Sequence, residues 1–107
     1  MPVMTRARKP PTAIEHEVAT IASLKRDPRF AAAYLDAVLA DGDQAELLLA
    51  MRRLSEATGG VPALAERTGL NATPLFRTLS ADGNPDLRTL RAMLGAMGLR
   101  LSVTPVE

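Results

Sequence analysis

The sequence predicts an all-α domain of five to six helices that ends in one short β-strand, and three observations predict it. From Ile14 to Met97, apolar residues recur at helical spacing, in runs bracketed by residues that cap helices. Between Gly60 and Ser80 the pattern is that of two short helices crossing at a sharp bend. Ala65 is small where the helices touch, Gly69 follows four places on, and Leu64, Leu70, Leu75 and Leu79 supply the contacts beneath. After Gly98 the period falls to two, with Leu99, Leu101 and Val103 alternating with Arg100, Ser102 and Thr104.

In chain order, residues 1–12 carry three prolines and the basic Arg6, Arg8 and Lys9, which predicts a disordered basic arm. Residues 13–107 are then a single helical domain. Ile14, Val18, Ile21 and Leu24 predict a first helix over 14–25. Asp27-Pro28 opens a second, with a capping carboxylate and a proline where no amide partner is missed. That helix runs through Phe30, Tyr34, Leu35, Val38 and Leu39 to near Gly42. Asp43 and Glu46 form a capping-box pattern for a third, whose stripe of Leu47, Leu48, Met51 and Leu54 stops at Gly59-Gly60. The bihelical segment occupies 60–80, where Gly69 can take the positive φ that the bend requires.

Asn84-Pro85 predicts the start of the last helix by the same cap-plus-proline logic. Leu87, Leu90, Met93, Leu94 and Met97 face inward on it, and Gly98 stops it. The strand at 99–104 finds no partner elsewhere in the chain, and a lone strand leaves its backbone groups unpaired. Pairing of Leu99, Leu101 and Val103 with the same strand of a second copy, across a two-fold axis, is the economical solution, and packing of the segment as an irregular tail is the alternative.

Composition excludes several classes of function. The 107 residues suit one modest core, and with no run of about 18 apolar residues no membrane span is expected. No apolar stretch follows the basic N-terminal residues, so no secretory signal is read there. The chain has no cysteine, which excludes disulfide and thiolate chemistry and predicts a cytoplasmic location. His16 stands between Glu15 and Glu17 on a surface helix, and Asp41-Gly42-Asp43 lacks the later ligands of a calcium loop. No catalytic residues, metal site or cofactor are expected, and the chain does not read as an enzyme.

A helix-turn-helix lays its second helix in the major groove of DNA. The outward residues of that helix predict base contacts from Asn71, Thr73, Phe76 and Arg77, since Asn suits adenine, Arg suits guanine, and methyl or ring groups pack on thymine. Alternatives stand beside these: Asn71 as a helix cap, Thr73 or Arg77 on a phosphate, Phe76 in the core or a dimer contact. Ser80, Asn84 and Arg88 are the expected phosphate contacts. The net charge is only +1, so DNA affinity must come from local arrangement and from dimerisation.

From about Asp27 to Thr104 the chain resembles the addiction-module antidote proteins. The resemblance rests on Asp27 to Leu35, on Gly42 to Arg52, on the bihelical segment, on Leu79 to Leu90 with its Ser-Ala-Asp-Gly-Asn-Pro, and on the terminal Gly98-Leu-Arg-Leu-Ser-Val. It implies a HigA-like antitoxin with a helix-turn-helix of the Cro/phage-repressor superfamily. Such a protein is expected to bind a small toxin of the RelE/HigB-like type and to repress its own operon as a homodimer on an inverted-repeat double-stranded DNA operator. The chain departs from the pattern at Ala72 and Pro74, where relatives carry Ser or Arg, which leaves few polar groups on the reading helix. The second reading is therefore a toxin-binding module without sequence-specific DNA binding.

Overall fold

A computed structural model describes residues 12–107, in which six helices follow one another: α1 (Ala13–Arg26), α2 (Pro28–Asp41), α3 (Gln44–Ala57), α4 (Val61–Thr68), α5 (Ala72–Thr78) and α6 (Leu87–Ala96). The arm expected over 1–12, with Arg6, Arg8 and Lys9, lies outside the described residues except for Thr12. The Thr12 hydroxyl caps α1, accepting the Glu15 N–H at 3.1 Å.

The helix starts follow from local chemistry. Asp27 ends α1 and opens α2, its carboxylate accepting the N–H groups of Arg29 and Phe30 while Pro28 fills the first turn. At α3 the capping box is formed: Asp43 accepts the Glu46 N–H at 2.9 Å, and Glu46 reaches back to the Asp43 N–H at 3.5 Å. Two helix ends close by one device. At α3, Gly60 N–H donates to Ser55 O and Gly59 N–H to Glu56 O; at α6, Leu99 N–H donates to Leu94 O and Gly98 N–H to Gly95 O. Each glycine at the crossover has positive φ, which is what this pairing of terminal carbonyls requires.

α3 is the hub. Leu48, Ala50, Met51 and Leu54 are buried on it, and it packs against α1, α2 and α4. α4 in turn packs on α5 and α6, so one apolar cluster runs from Leu24 and Leu35 through Met51 and Leu64 to Leu79 and Met93. Ser55 is buried within it, and its hydroxyl donates to the Met51 carbonyl at 2.7 Å.

Three expectations are corrected. Among the described residues there is no strand: residues 99–107 carry no ladder, and the pairing of Leu99, Leu101 and Val103 across a dimer has no support. Leu99 and Leu101 instead lie half-buried, lining a groove with Leu35, Leu39 and Leu94, while Val103 is 96% exposed. Alternation by two is met by an extended segment laid on a helix, whereas a strand also needs a neighbouring backbone. The last helix begins after Asp86 rather than at Asn84-Pro85, because Asp86 accepts the Thr89 N–H at 2.7 Å and is the N-cap. That later start leaves Leu87 in the first turn, 63% exposed rather than inward.

Candidate nucleic-acid interface

The bend between α4 and α5 is built by four residues. Gly69 takes φ 75° and ψ 7°, the left-handed region that an L side chain enters only with strain. Thr68 stitches the corner: its hydroxyl donates to the Leu64 carbonyl at 2.9 Å and accepts the Leu70 N–H at 3.2 Å. Ala65 is buried and Leu70 half-buried where the helices meet. Leu75 and Leu79, both buried, turn one face of α5 inward, and the 3.6-residue period then sends Thr73 and Arg77 to the centre of the opposite face.

The candidate residues do not form one surface. Asn71 is exposed at the N-cap position of α5 but makes no capping bond, so its amide is free for another partner. Arg77 is exposed and shares a hollow with Pro74, Thr78, Asp82, Gly83 and Asn84. It also carries no carboxylate partner, for the single ion pair among the described residues joins Arg53 to Glu17. Phe76 is 56% exposed but sits on the flank of α5, where it lines a groove with Ile21 of α1 and Leu49 and Arg52 of α3. Glu17 and Glu56 border that groove.

The residues beyond α5 are more constrained. Ser80 Oγ donates to the Arg77 carbonyl at 2.7 Å, which uses its one proton, so it reaches a phosphate as donor only by giving up that bond. Arg88 is exposed in the first turn of α6, next to Asp86. The Asp86 carboxyl lies below the ordinary 3.8, first because it accepts the backbone N–H of Thr89, then because of the Thr89 hydroxyl. This carboxylate occupies the start of α6 that an anion would otherwise use.

A group whose pKa is lower folded than unfolded adds stability above its unfolded value and loses it as pH falls through the folded one. The thermal midpoint of Asp86→Ala is therefore expected to lie below wild type near neutral pH, and the gap to close as pH drops below 3.8. Paired melts across that range check it, and a gap independent of pH rejects the cap.

Sequence reasoning missed two residues that shape this surface. Arg52 of α3 donates through Nη1 to the Leu79 carbonyl at 2.6 Å, across 27 residues. No local signal announces such a bond. Gly83 is the second: its N–H donates to the Ser80 carbonyl at 2.8 Å, and its Cα lies against the backbone that ends α5.

Among the described residues no helix is long and apolar enough to cross a membrane, and no group of three or more His, Cys, Asp or Glu is gathered as a metal site. A family model described as "Probable addiction module antidote protein" matches residues 16–105. No curated protein and no solved structure matches the chain.

Proposed function

Because the chain belongs to the probable addiction module antidote protein family, we propose that it is an antitoxin that also represses transcription by binding a specific DNA operator. Family membership supplies the antitoxin role and a toxin as partner. The further reading is that α4, the Gly69 corner and α5 act as a helix-turn-helix of the Cro/phage-repressor kind. α5 then enters the major groove, and two copies bind an inverted repeat with their reading helices about 34 Å apart. The toxin is proposed to be of the RelE/HigB-like type, and the site of action cytoplasmic.

The observation that carries this reading is the left-handed corner at Gly69, which leaves Thr73 and Arg77 outward on a short helix with an unengaged Asn71 at its head. Asn71, Thr73 and Arg77 are the proposed base contacts, with Phe76 at the edge. Asn84 and Arg88 are the proposed phosphate contacts, with Ser80 joining them only if its bond to Arg77 is released.

The test is binding of a duplex taken from upstream of the protein's own gene. Arg77→Ala is expected to weaken binding about 5- to 150-fold, the equivalent of about 1–3 kcal/mol for one good base contact, and to leave the melting temperature unchanged. Full affinity in that variant removes Arg77 from the interface. Wild-type binding should fall steeply with salt, as phosphate contacts release counterions.

One observation favours the second reading, a toxin-binding module that reads no sequence. The face of α5 is thin in polar groups, and Asp82 shares the hollow that Arg77 lines. A wild-type chain that binds upstream and scrambled duplexes equally, yet binds its toxin, establishes that reading instead.

A further inference from the structure

We propose that Arg52 is a positioning residue that locks the reading helix in place from behind. The inference rests on α5 being the DNA-contacting helix. With seven residues, α5 is too short to hold itself in water, and its orientation depends on what grips its ends. The N-terminal end is gripped by the Gly69 corner and by α4. The C-terminal end is gripped by α3, through the 2.6 Å bond from Arg52 Nη1 to the Leu79 carbonyl.

The chemistry suits that task. The last carbonyls of a helix lack partners within it and carry its negative pole, so a guanidinium there both satisfies an acceptor and complements the dipole. Arg52 is half-buried and makes no ion pair with Glu17 or Glu56, which border the same groove, since the single ion pair among the described residues is Arg53–Glu17. The two neighbouring arginines of α3 thus divide the work. Arg53 donates to Glu17 of α1 at 2.9 Å and to the Tyr34 hydroxyl of α2 at 3.1 Å, tying the N-terminal helices together. Arg52 reaches the other way and fixes α5, so that Thr73 and Arg77 are presented at one angle to the groove. Base readout depends on such fixed geometry, because a recognition constellation loses its effect when it is loose by about 1 Å.

The experiment uses the full chain, with Arg52→Met, which keeps much of the length without charge or donor, and Arg52→Lys, which keeps the charge but not the planar fork. Two quantities are read: amide hydrogen exchange in α5 against α6, and affinity for the upstream duplex at several salt concentrations. R52M is expected to speed exchange in α5 about tenfold with α6 unchanged. It is also expected to weaken duplex binding about tenfold, with the slope of log affinity against log salt as in wild type. R52K should fall between R52M and wild type in both readouts.

Unchanged α5 exchange in R52M overturns the proposal. So does a salt slope shallower by about one unit, which means that Arg52 touches phosphate itself. If R52M does not fold, R52K carries the comparison: α5 exchange faster than wild type supports the proposal, and exchange at the wild-type rate overturns it. A wild-type chain that binds no upstream duplex, while R52M still loosens α5 alone, defeats the DNA reading and leaves the anchoring role supported.

Discussion

Leu64→Ala is expected to lower the stability of the fold by about 3 kcal/mol, within the range of about 2–5 for emptying a buried leucine site. Leu64 is 0% exposed and sits on α4, the helix that packs against α3, α5 and α6. It belongs to the cluster that includes Leu75, Leu79, Met93 and Leu94, so the lost methyl groups face a packed interior on every side. Relaxation into the void is limited because its neighbours belong to several helices with separate anchors. A loss of this size is a large share of the roughly 5–15 kcal/mol that holds a domain of ordinary stability. Urea titration checks it: the midpoint should fall sharply at an unchanged slope. A loss below about 1 kcal/mol would mean that α4 is not gripped between its neighbours.

The same residues show why parts of the fold were legible in the sequence. Helix starts at Asp27 and Asp43, and the stops at Gly59-Gly60 and Gly98, each depend on groups within about four residues, and such chemistry is written locally. The outward turn of Thr73 and Arg77 needs only the helical period once Leu75 and Leu79 face inward. Where two local signals competed, the reading failed: Asn84-Pro85 and Asp86 both suit a helix start, and the bond to Thr89 decides between them. The C-terminal alternation failed for a different reason. Period two specifies which side chains share a face, but not whether that face meets a backbone ladder or the flank of α2. Ile14 and Val18 follow helical spacing yet stand exposed on α1, since spacing gives a stripe and not what covers it. The bond from Arg52 to Leu79 lies beyond any local pattern, because it exists only after the fold has brought together residues 27 apart in the chain.

Gly83→Ala is expected to destabilise the chain by about 2–3 kcal/mol, the upper part of the range for forcing extra volume into a packed site. Two glycines beside α5 are needed for opposite reasons. Gly69 has open space where a Cβ would stand, and its requirement is the positive φ. Gly83 is not among the positive-φ glycines, and its requirement is space. A Cβ there would fall inside the Thr78 carbonyl and 3.0 Å from the Arg77 carbonyl oxygen. Both obstacles are backbone, so no rotamer change relieves them and the 80–84 loop must move bodily off the end of α5. That motion breaks the Gly83–Ser80 hydrogen bond and displaces Asn84 from the hollow it shares with Arg77. The variant should therefore lose duplex affinity together with stability, whereas Arg77→Ala loses affinity alone. Thermal denaturation and duplex titration on the two variants separate these outcomes. A Gly83→Ala chain with wild-type stability would show that the loop does not close against Thr78, and the hollow joining Arg77 to Asn84 would lose its basis.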